Sequence, residues 1–381
     1  MALLKKSAQP RARFHTLTVA DIERLTDDAV AITLRVPENL WQDYVFEPGQ
    51  HLTLRATIHG EDVRQSYSIC QSRSGRLPHR EAPGLLRVAS ARVEGGRMST
   101  WLGESLRPGD TLEVMTPMGS FTCPTRPDLA RHHVAVAAGS GITPVLSLLS
   151  TALEEEPLSR VTLLYGNRRT SSVMFLEELE DLKDRYPGRF QLIHVLSREA
   201  SDVELFHGRL DRERLERLLD ALVPVETVDE WYLCGPFGMV TGAEALLRER
   251  GVDAHHVHHE IFFVGAGDGP ASAPVHRLPR DVTSGPSAPP VAVVTVTLDG
   301  RTTAVPMTSR DESVLDALLR VRPDAPFSCT GGVCGTCRAR LVDGEVTMDR
   351  NYALEPEELE AGVVLTCQAH PVTDTVRLDY D

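Results

Sequence analysis

Near its C-terminus the chain reads Cys329-Thr330-Gly331-Gly332-Val333-Cys334-Gly335-Thr336-Cys337, and Cys367 follows after 29 intervening residues. The spacing C-x4-C-x2-C with a distant fourth cysteine is that of a plant-type [2Fe–2S] centre. Two irons need four converging thiolates. One loop supplies three of them, and its glycines let the backbone wrap closely and aim amides at sulfur. A structural zinc site is the competing use of four cysteines. Such sites usually show two C-x2-C pairs, and here there is one. The seven cysteines (Cys70, Cys123 and Cys234 are the others) are an odd number, four of them gathered at one end. A disulfide framework is therefore a poor reading, and metal or redox use a better one.

Working outward, residues 291–381 form the unit around these cysteines. Segments 291–298 and 302–307 flank Asp299-Gly300, and segments 338–342 and 345–348 flank Asp343-Gly344. Both read as hairpins. A helix is expected over 313–321, and a strand over 364–368 would carry Cys367. Residues 264–290 are a linker, with Pro270, Pro274, Pro279, Pro286, Pro289 and Pro290 set among glycine and serine. A coil of that length spans about 30 Å and buries no core.

Upstream the rhythm changes twice. Over 128–263, strands at 133–138, 161–165, 190–196 and 231–234 alternate with helices at 144–155, 172–185, 211–222 and 238–250. Such alternation builds a parallel sheet covered by helices. Over 1–127, short strands at 31–36, 51–55, 66–70, 86–93 and 111–115 are divided by turns such as Pro48-Gly49 and Pro108-Gly109. That pattern predicts an antiparallel barrel. The expected fold class is multidomain: an antiparallel β-barrel, an α/β parallel-sheet domain, and a C-terminal β-grasp-like [2Fe–2S] domain.

Composition narrows the function. With 41% hydrophobic residues the 381-residue chain can fill several cores. A net charge of −14 argues against nucleic acid or an anionic membrane as partner. No apolar run approaches the roughly 20 residues of a membrane span, and residues 1–13 hold no signal-like apolar stretch. A cytoplasmic location is the expectation.

Two motifs suggest further cofactors. In Ala137-Ala138-Gly139-Ser140-Gly141-Ile142-Thr143-Pro144 a strand gives way to a helix. Gly139 and Gly141 would admit a phosphate, with Thr143 as N-cap and Pro144 at the first helical position. It is not G-x-G-x-x-G, so a dehydrogenase-type site is not supported. A plain strand–turn–helix is the bland reading. Tyr165-Gly166-Asn167-Arg168-Arg169 and Ser197-Arg198 end the next two strands. Arginine and serine there suit a 2′-phosphate, so NADPH is expected over NADH, with Glu199 as a counter-signal. Tyr232-Leu233-Cys234-Gly235-Pro236 leaves Cys234 at the ligand edge of the sheet, unless it is only a buried structural cysteine.

The second motif, Arg64-Gln65-Ser66-Tyr67-Ser68, puts Arg64, Ser66 and Ser68 on one strand face and Tyr67 on the other. Arg64 can pair with a phosphate, Tyr67 can cover a flavin ring and Ser68 can bond its edge. Gly95-Gly96-Arg97-Met98-Ser99-Thr100 offers a helix start for a pyrophosphate. His255, His256, His258 and His259 read as an exposed edge rather than a metal site.

In this order, the motifs resemble the ferredoxin–NADP reductase superfamily fused to a plant-type ferredoxin, over nearly the whole chain. More narrowly, Pro48-Gly49-Gln50-His51-Leu52-Thr53-Leu54, the Gly-Gly-Val-Cys loop and Asn351-Tyr352-Ala353-Leu354-Glu355-Pro356-Glu357-Glu358-Leu359 resemble reductase components of phenylacetyl-CoA epoxidase systems. The resemblance implies FAD, NADPH as donor, and a di-iron oxygenase complex as electron acceptor. It implies that Arg64, Tyr67, Ser68, Met98 and Ser99 hold the flavin. Ser68, Thr143, Cys234 and Glu260 would line the meeting place of nicotinamide and flavin, Ser68, Cys234 and Glu260 being catalytic. Arg168, Ser197 and Arg198 would meet the adenosine end. Phe262 matches an aromatic near the flavin, and Ile261 departs from a residue that is often basic. The runner-up is the reductase of a Rieske-type aromatic-ring oxygenase, some of whose relatives use FMN. A redox sensor or electron-storage protein is the reading from another class.

Overall fold

The computed structural model describes residues 12–74, 84–263, 290–308, 311 and 313–381. The expected linker lies outside the described residues except for Pro290, which opens a strand.

The first sheet is built from β1 (Phe14–Thr26), β2 (Ala29–Arg35), β3 (His51–Ile58), β4 (Glu61–Ser68), β5 (Leu85–Ala91) and β6 (Thr111–Met115), with α1 (Arg97–Glu104) beside it. Its order is β4-β3-β6-β1-β2-β5, and a bridge from Ile69 to Val88 brings the two ends together. Closure leaves few open edges. Alternate residues such as Leu52, Leu54, Leu112 and Val114 point inward and fill the barrel. β4 begins five residues earlier than the expected strand at 66, because it pairs with β3 from Ile58↔Glu61 to His51↔Ser68 across a tight turn at His59 and Gly60.

The second sheet holds β7 (His132–Ala138), β8 (Arg160–Asn167), β9 (Phe190–Leu196), β10 (Glu230–Pro236) and β11 (Val257–Phe263), all parallel, in the order β11-β10-β7-β8-β9. The helices are α2 (Ile142–Glu155), α3 (Leu176–Arg185), α4 (Arg212–Leu222) and α5 (Phe237–Glu249). The chain works outward from β7 to β9 and then crosses back to β10, so the strand order reverses between β7 and β10. Ligands of open α/β sheets bind at that switch point. α2 is buried from Ile142 to Leu153, because it lies between sheet and barrel. Its Val145 and Leu148 share one apolar cluster with Ala29, Ala31 and Ala89 of the barrel.

α2 starts with Gly141 as its N-cap, after a short 3-10 turn over Gly139–Gly141. Thr143 is therefore inside the helix rather than its cap, and its hydroxyl turns back to donate to the carbonyl of Ser140 at 3.0 Å. α3 starts at Leu176, four residues after the expected 172, because Phe175 takes a left-handed backbone conformation that buries its ring.

The third unit has β12 (Pro290–Leu298), β13 (Arg301–Thr308), α6 (Val314–Leu319), β14 (Arg338–Asp343), β15 (Val346–Met348), α7 (Pro356–Glu360), β16 (Val363–Leu365), β17 (Ala369–Pro371) and β18 (Thr375–Asp379). Its sheet runs β13-β12-β18-β14-β16 with α6 packed on it. The hairpin at Asp299-Gly300 forms as expected, Leu298 facing Arg301. The one at Asp343-Gly344 does not. β14 pairs with β16 and β18, whereas β15 pairs with β17. Gly344 is where they part: a Cβ there would meet the carbonyl of Thr375 at 2.4 Å, so only glycine lets the chain pass β18 and leave the sheet.

Candidate active site and cluster loop

The cluster loop links α6 to β14. Gly332 and Gly335 sit at φ 77° and 67°, the left-handed region that the tight wrap around the cysteines requires. Cys367 lies in the turn between β16 and β17, just past the strand expected to carry it. The sulfurs gather as two pairs: the thiols of Cys329 and Cys334 are hydrogen-bonded, and so are those of Cys337 and Cys367. The amide of Cys334 donates to Cys329 Sγ at 3.3 Å, and Gln368 Nε2 lies 3.6 Å from Cys367 Sγ. Among the described residues no three of these sulfurs lie within 4.8 Å of one another. One tetrahedral zinc would draw all four closer than that. Two adjacent pairs with amide donors suit a two-iron cluster.

At the switch point the sequence motifs meet. Cys234 on β10 faces Ala137 on one side and Glu260 on the other. Gly141 packs so tightly that a Cβ would reach the carbonyl of Cys234 at 2.2 Å. Tyr165 donates from the end of β8 to the carbonyl of Gly139 at 3.0 Å, pinning the same loop. Cys234 is fully buried, and burial pushes its thiol well above the usual range. The barrel contributes Ser68, at the end of β4, whose hydroxyl bonds the carboxyl of Glu260. Ser68, Cys234 and Glu260 are thus brought together from three strands. Burial first, and then the sulfur of Cys334, push Glu260 up to about 8 against that hydrogen bond. Its Oε2 is buried with no partner. An orphaned carboxylate oxygen at a switch point fits a missing polar ligand. Phe262, two residues along β11, is 37% exposed.

The residues expected at the adenosine end lie on exposed loops. Arg168 and Arg198 are exposed, and their backbones are tied by an Arg198 N–H donated to the carbonyl of Arg168 at 2.8 Å. Ser197 donates to the carbonyl of Asn167, whose Nδ2 is buried without a partner. Glu199 accepts two hydrogen bonds of 2.8 Å from the amide and hydroxyl of Thr170. The counter-signal to a phosphate is therefore already engaged.

The expected flavin residues divide. Tyr67 packs against the barrel core, with burial raising its hydroxyl pKa. Ser99 accepts from the amide of Val93 at 3.1 Å, holding the turn before α1. The side chain of Met98 is in the barrel core. Arg64 lies on the face opposite Tyr67. Its guanidinium donates to the carbonyls of Pro323 (3.2 Å) and Ala325 (3.4 Å), and sits 4.2 Å from the ring centroid of Phe327. Its Nε has no partner. The cluster unit also meets the barrel where Ser66 and Ser328 hydroxyls lie 2.9 Å apart, and meets α5 of the second unit where Tyr352 packs edge-on against Phe237. A small cleft remains between the units, lined by Ser120, Phe121, His258, Glu260, Cys334 and Tyr352, among others. None of these docking residues was singled out for that part in the sequence, because contacts between distant segments leave no local pattern.

The four histidines divide among carboxylates: His255 faces Glu357, His256 and His258 face Glu230, and His259 faces Glu244. Cys123, Glu230 and His258 come within 4.8 Å of one another. The guanidinium of Arg131 already stands among them, 3.6 Å from Cys123 Sγ and 3.3 Å from Glu230.

Similarity to known proteins follows the three units. The "Oxidoreductase FAD-binding domain" family matches residues 16–123, the "Oxidoreductase NAD-binding domain" family residues 135–245, and the "2Fe-2S iron-sulfur cluster binding domain" family residues 296–372. An FAD barrel, a nicotinamide-type sheet and an iron–sulfur unit on one chain define an NAD(P)H-dependent flavin and iron–sulfur oxidoreductase. The chain is 44% identical over 368 residues to a component of the 1,2-phenylacetyl-CoA epoxidase of Escherichia coli, covering 97% of this chain and 98% of that one. It is 34% identical to the ferredoxin reductase component of 3-ketosteroid-9-alpha-monooxygenase from Rhodococcus rhodochrous, covering 96% of each. The solved structure of phthalate dioxygenase reductase shares the fold, with a TM-score of 0.55, 22% identity and 96% of this chain covered. The chain belongs to the ferredoxin–NADP reductase superfamily fused to a plant-type ferredoxin, in the family that includes this phenylacetyl-CoA epoxidase component. Among the described residues no helix is long and apolar enough to cross a membrane.

Proposed function

We propose that this chain draws electrons from NADPH through FAD and its [2Fe–2S] cluster and delivers them singly to a di-iron oxygenase that epoxidises phenylacetyl-CoA, in the cytoplasm. The observation that carries the reading is the cleft in which Glu260 of the nicotinamide sheet and Cys334 of the cluster loop face each other. When bound, the flavin joins a two-electron donor to a one-electron centre.

The residues of the chain supply position and charge. Gly139, Gly141 and Thr143 shape the floor on which the nicotinamide would lie, and Cys234 supports it from below as a neutral thiol. Ser68 and Glu260 place a hydroxyl and a carboxyl at the flavin's reactive edge, where they balance its proton and charge. Tyr67, Met98 and Ser99 hold the flavin body, the last two through the turn at α1. Arg64 contributes its free Nε–H, and Phe262 borders the ring. Arg168, Ser197 and Arg198 bind the 2′-phosphate, which favours NADPH; the engaged Glu199 supports this choice. Cys329, Cys334, Cys337 and Cys367 hold the cluster.

The test is product formation from phenylacetyl-CoA by the purified oxygenase, with and without this chain and NADPH. Product that depends on both is expected. Brisk NADPH-driven reduction of cytochrome c with no product would keep the reductase and move its partner to a ring-hydroxylating oxygenase. Slow reduction of every acceptor would favour a sensor or storage protein.

A further inference from the structure

His51 opens β3 of the barrel and is 2% exposed. The cluster loop, 285 positions away, covers it: His51 Nε2 lies 3.3 Å from the hydroxyl of Thr336. That hydroxyl lies 3.1 Å from the sulfur of Cys334, and Thr336 is 1% exposed, so water does not compete. We propose that His51 is a positioning residue that acts through Thr336 on Cys334 and sets the cluster's affinity for an electron from across the interface. The inference rests on the reading of the four cysteines as [2Fe–2S] ligands.

The direction follows from counting protons. Thr336 has one hydroxyl hydrogen and two neighbours. A cysteine bound to iron has no proton to donate, so the hydroxyl donates to its sulfur. The hydroxyl oxygen is then free to accept from His51 Nε2–H. His51 Nε2 lies within hydrogen-bond distance of that oxygen, so an N–H there is aimed at it. The tautomer with hydrogen on Nε2 completes the chain. Successive hydrogen bonds polarise one another, so the relayed bond to sulfur is stronger than a lone hydroxyl would make. Hydrogen bonds to cluster sulfur favour the more negative, reduced state.

The donor and the sulfur belong to different units of the chain. Arg64 and Ser66 hold those two units together. The relay therefore exists only while the cluster unit is seated on the barrel. Seated, the cluster is the better electron acceptor; released, it is the better donor.

The experiment is a redox titration of the full-length protein, following the reduced cluster by EPR, with His51→Ala, His51→Gln, Thr336→Val and the double variant His51→Ala/Thr336→Val. The expected result is a more negative midpoint in Thr336→Val, about tenfold in the flavin-to-cluster equilibrium, or about 59 mV for one electron. His51→Ala should show part of that shift, and His51→Gln, which keeps an N–H donor, less. The double variant should match Thr336→Val alone, since His51 reaches the sulfur only through the Thr336 hydroxyl. An unmoved midpoint in His51→Ala with an intact visible spectrum, or additive shifts in the double variant, would overturn the relay. Absence of any cluster signal in the unsubstituted protein would instead overturn the cysteine assignment beneath it.

Discussion

Glu260 on β11 and Cys334 in the cluster loop line the same cleft, 74 positions apart in the chain, with the hydroxyl of Ser68 bonded to the carboxyl from the barrel side. One place thus gathers a group from each of the three units. Electron transfer between units needs such convergence, because only there do the donor and acceptor sites approach.

Replacing Glu260 with glutamine keeps its size and removes its exchangeable carboxyl proton, which the buried side chain holds up to about pH 8. NADPH-driven flavin reduction, followed by stopped-flow absorbance, should slow by about 10²-fold, the usual cost of losing a positioned acid or base. Unchanged rates would leave Glu260 a bystander.

If Cys234 supports the nicotinamide as proposed, Cys234→Ala should remove that support and leave both cofactors bound. Hydride transfer should slow by roughly 10- to 100-fold through misplacement. The flavin content of the purified variant checks that binding survives, and normal transfer rates would remove the role.

Arg168 and Arg198 should separate the two nicotinamides. Losing a charge-assisted hydrogen bond costs about 1.5–3 kcal/mol, roughly 10- to 100-fold in binding. The double alanine variant should lose kcat/KM for NADPH by at least the lower figure and keep it for NADH. Equal losses would mean that the arginines serve the loops alone.

Glu156 makes a stability prediction. Its carboxylate is fully buried and accepts from His133, Arg131, Ser159 and the amide of Arg126. Burial alone would raise its pKa; the four hydrogen bonds outweigh it and hold the group far below the usual carboxylate range. A depressed folded value stabilises above the unfolded value near 4.5 and is lost as pH falls toward the folded one. Glu156→Gln leaves Arg131 with Glu230 as its remaining charge partner and weakens the charge-assisted hydrogen bonds at Glu156, which should cost about 1.5–3 kcal/mol at pH 7. Denaturation midpoints of the two proteins should converge as pH drops below about 4.5. A constant gap down to pH 3 would contradict this account.

Much of this architecture was legible because its signals are local. The cysteine spacing, the two-residue turn at Asp299-Gly300, and the alternation of strand and helix from 128 to 263 each depend on neighbours along the chain. So do the strands at Thr111–Met115 and Phe190–Leu196, which the structure keeps at both ends. Where reading failed, a distant contact had decided. The turn at Asp343-Gly344 has hairpin chemistry, yet β18 takes β14 as its partner and sends β15 elsewhere. Thr143 has the chemistry of a cap, yet the 3-10 turn before it moves the helix start to Gly141.

The sequence by itself determined the three kinds of folding unit and their cofactor classes, and put forward candidate residues for each site, because backbone preference, spacing and charge act over a few residues. Only the tertiary structure decided which of those residues meet. It turned Arg64 toward carbonyls of the cluster unit, set Ser68 against Glu260, placed His51 against Thr336, and tied Glu199 to Thr170. Such pairings are fixed by how whole sheets pack, and packing is a property of surfaces that no short stretch of chain carries.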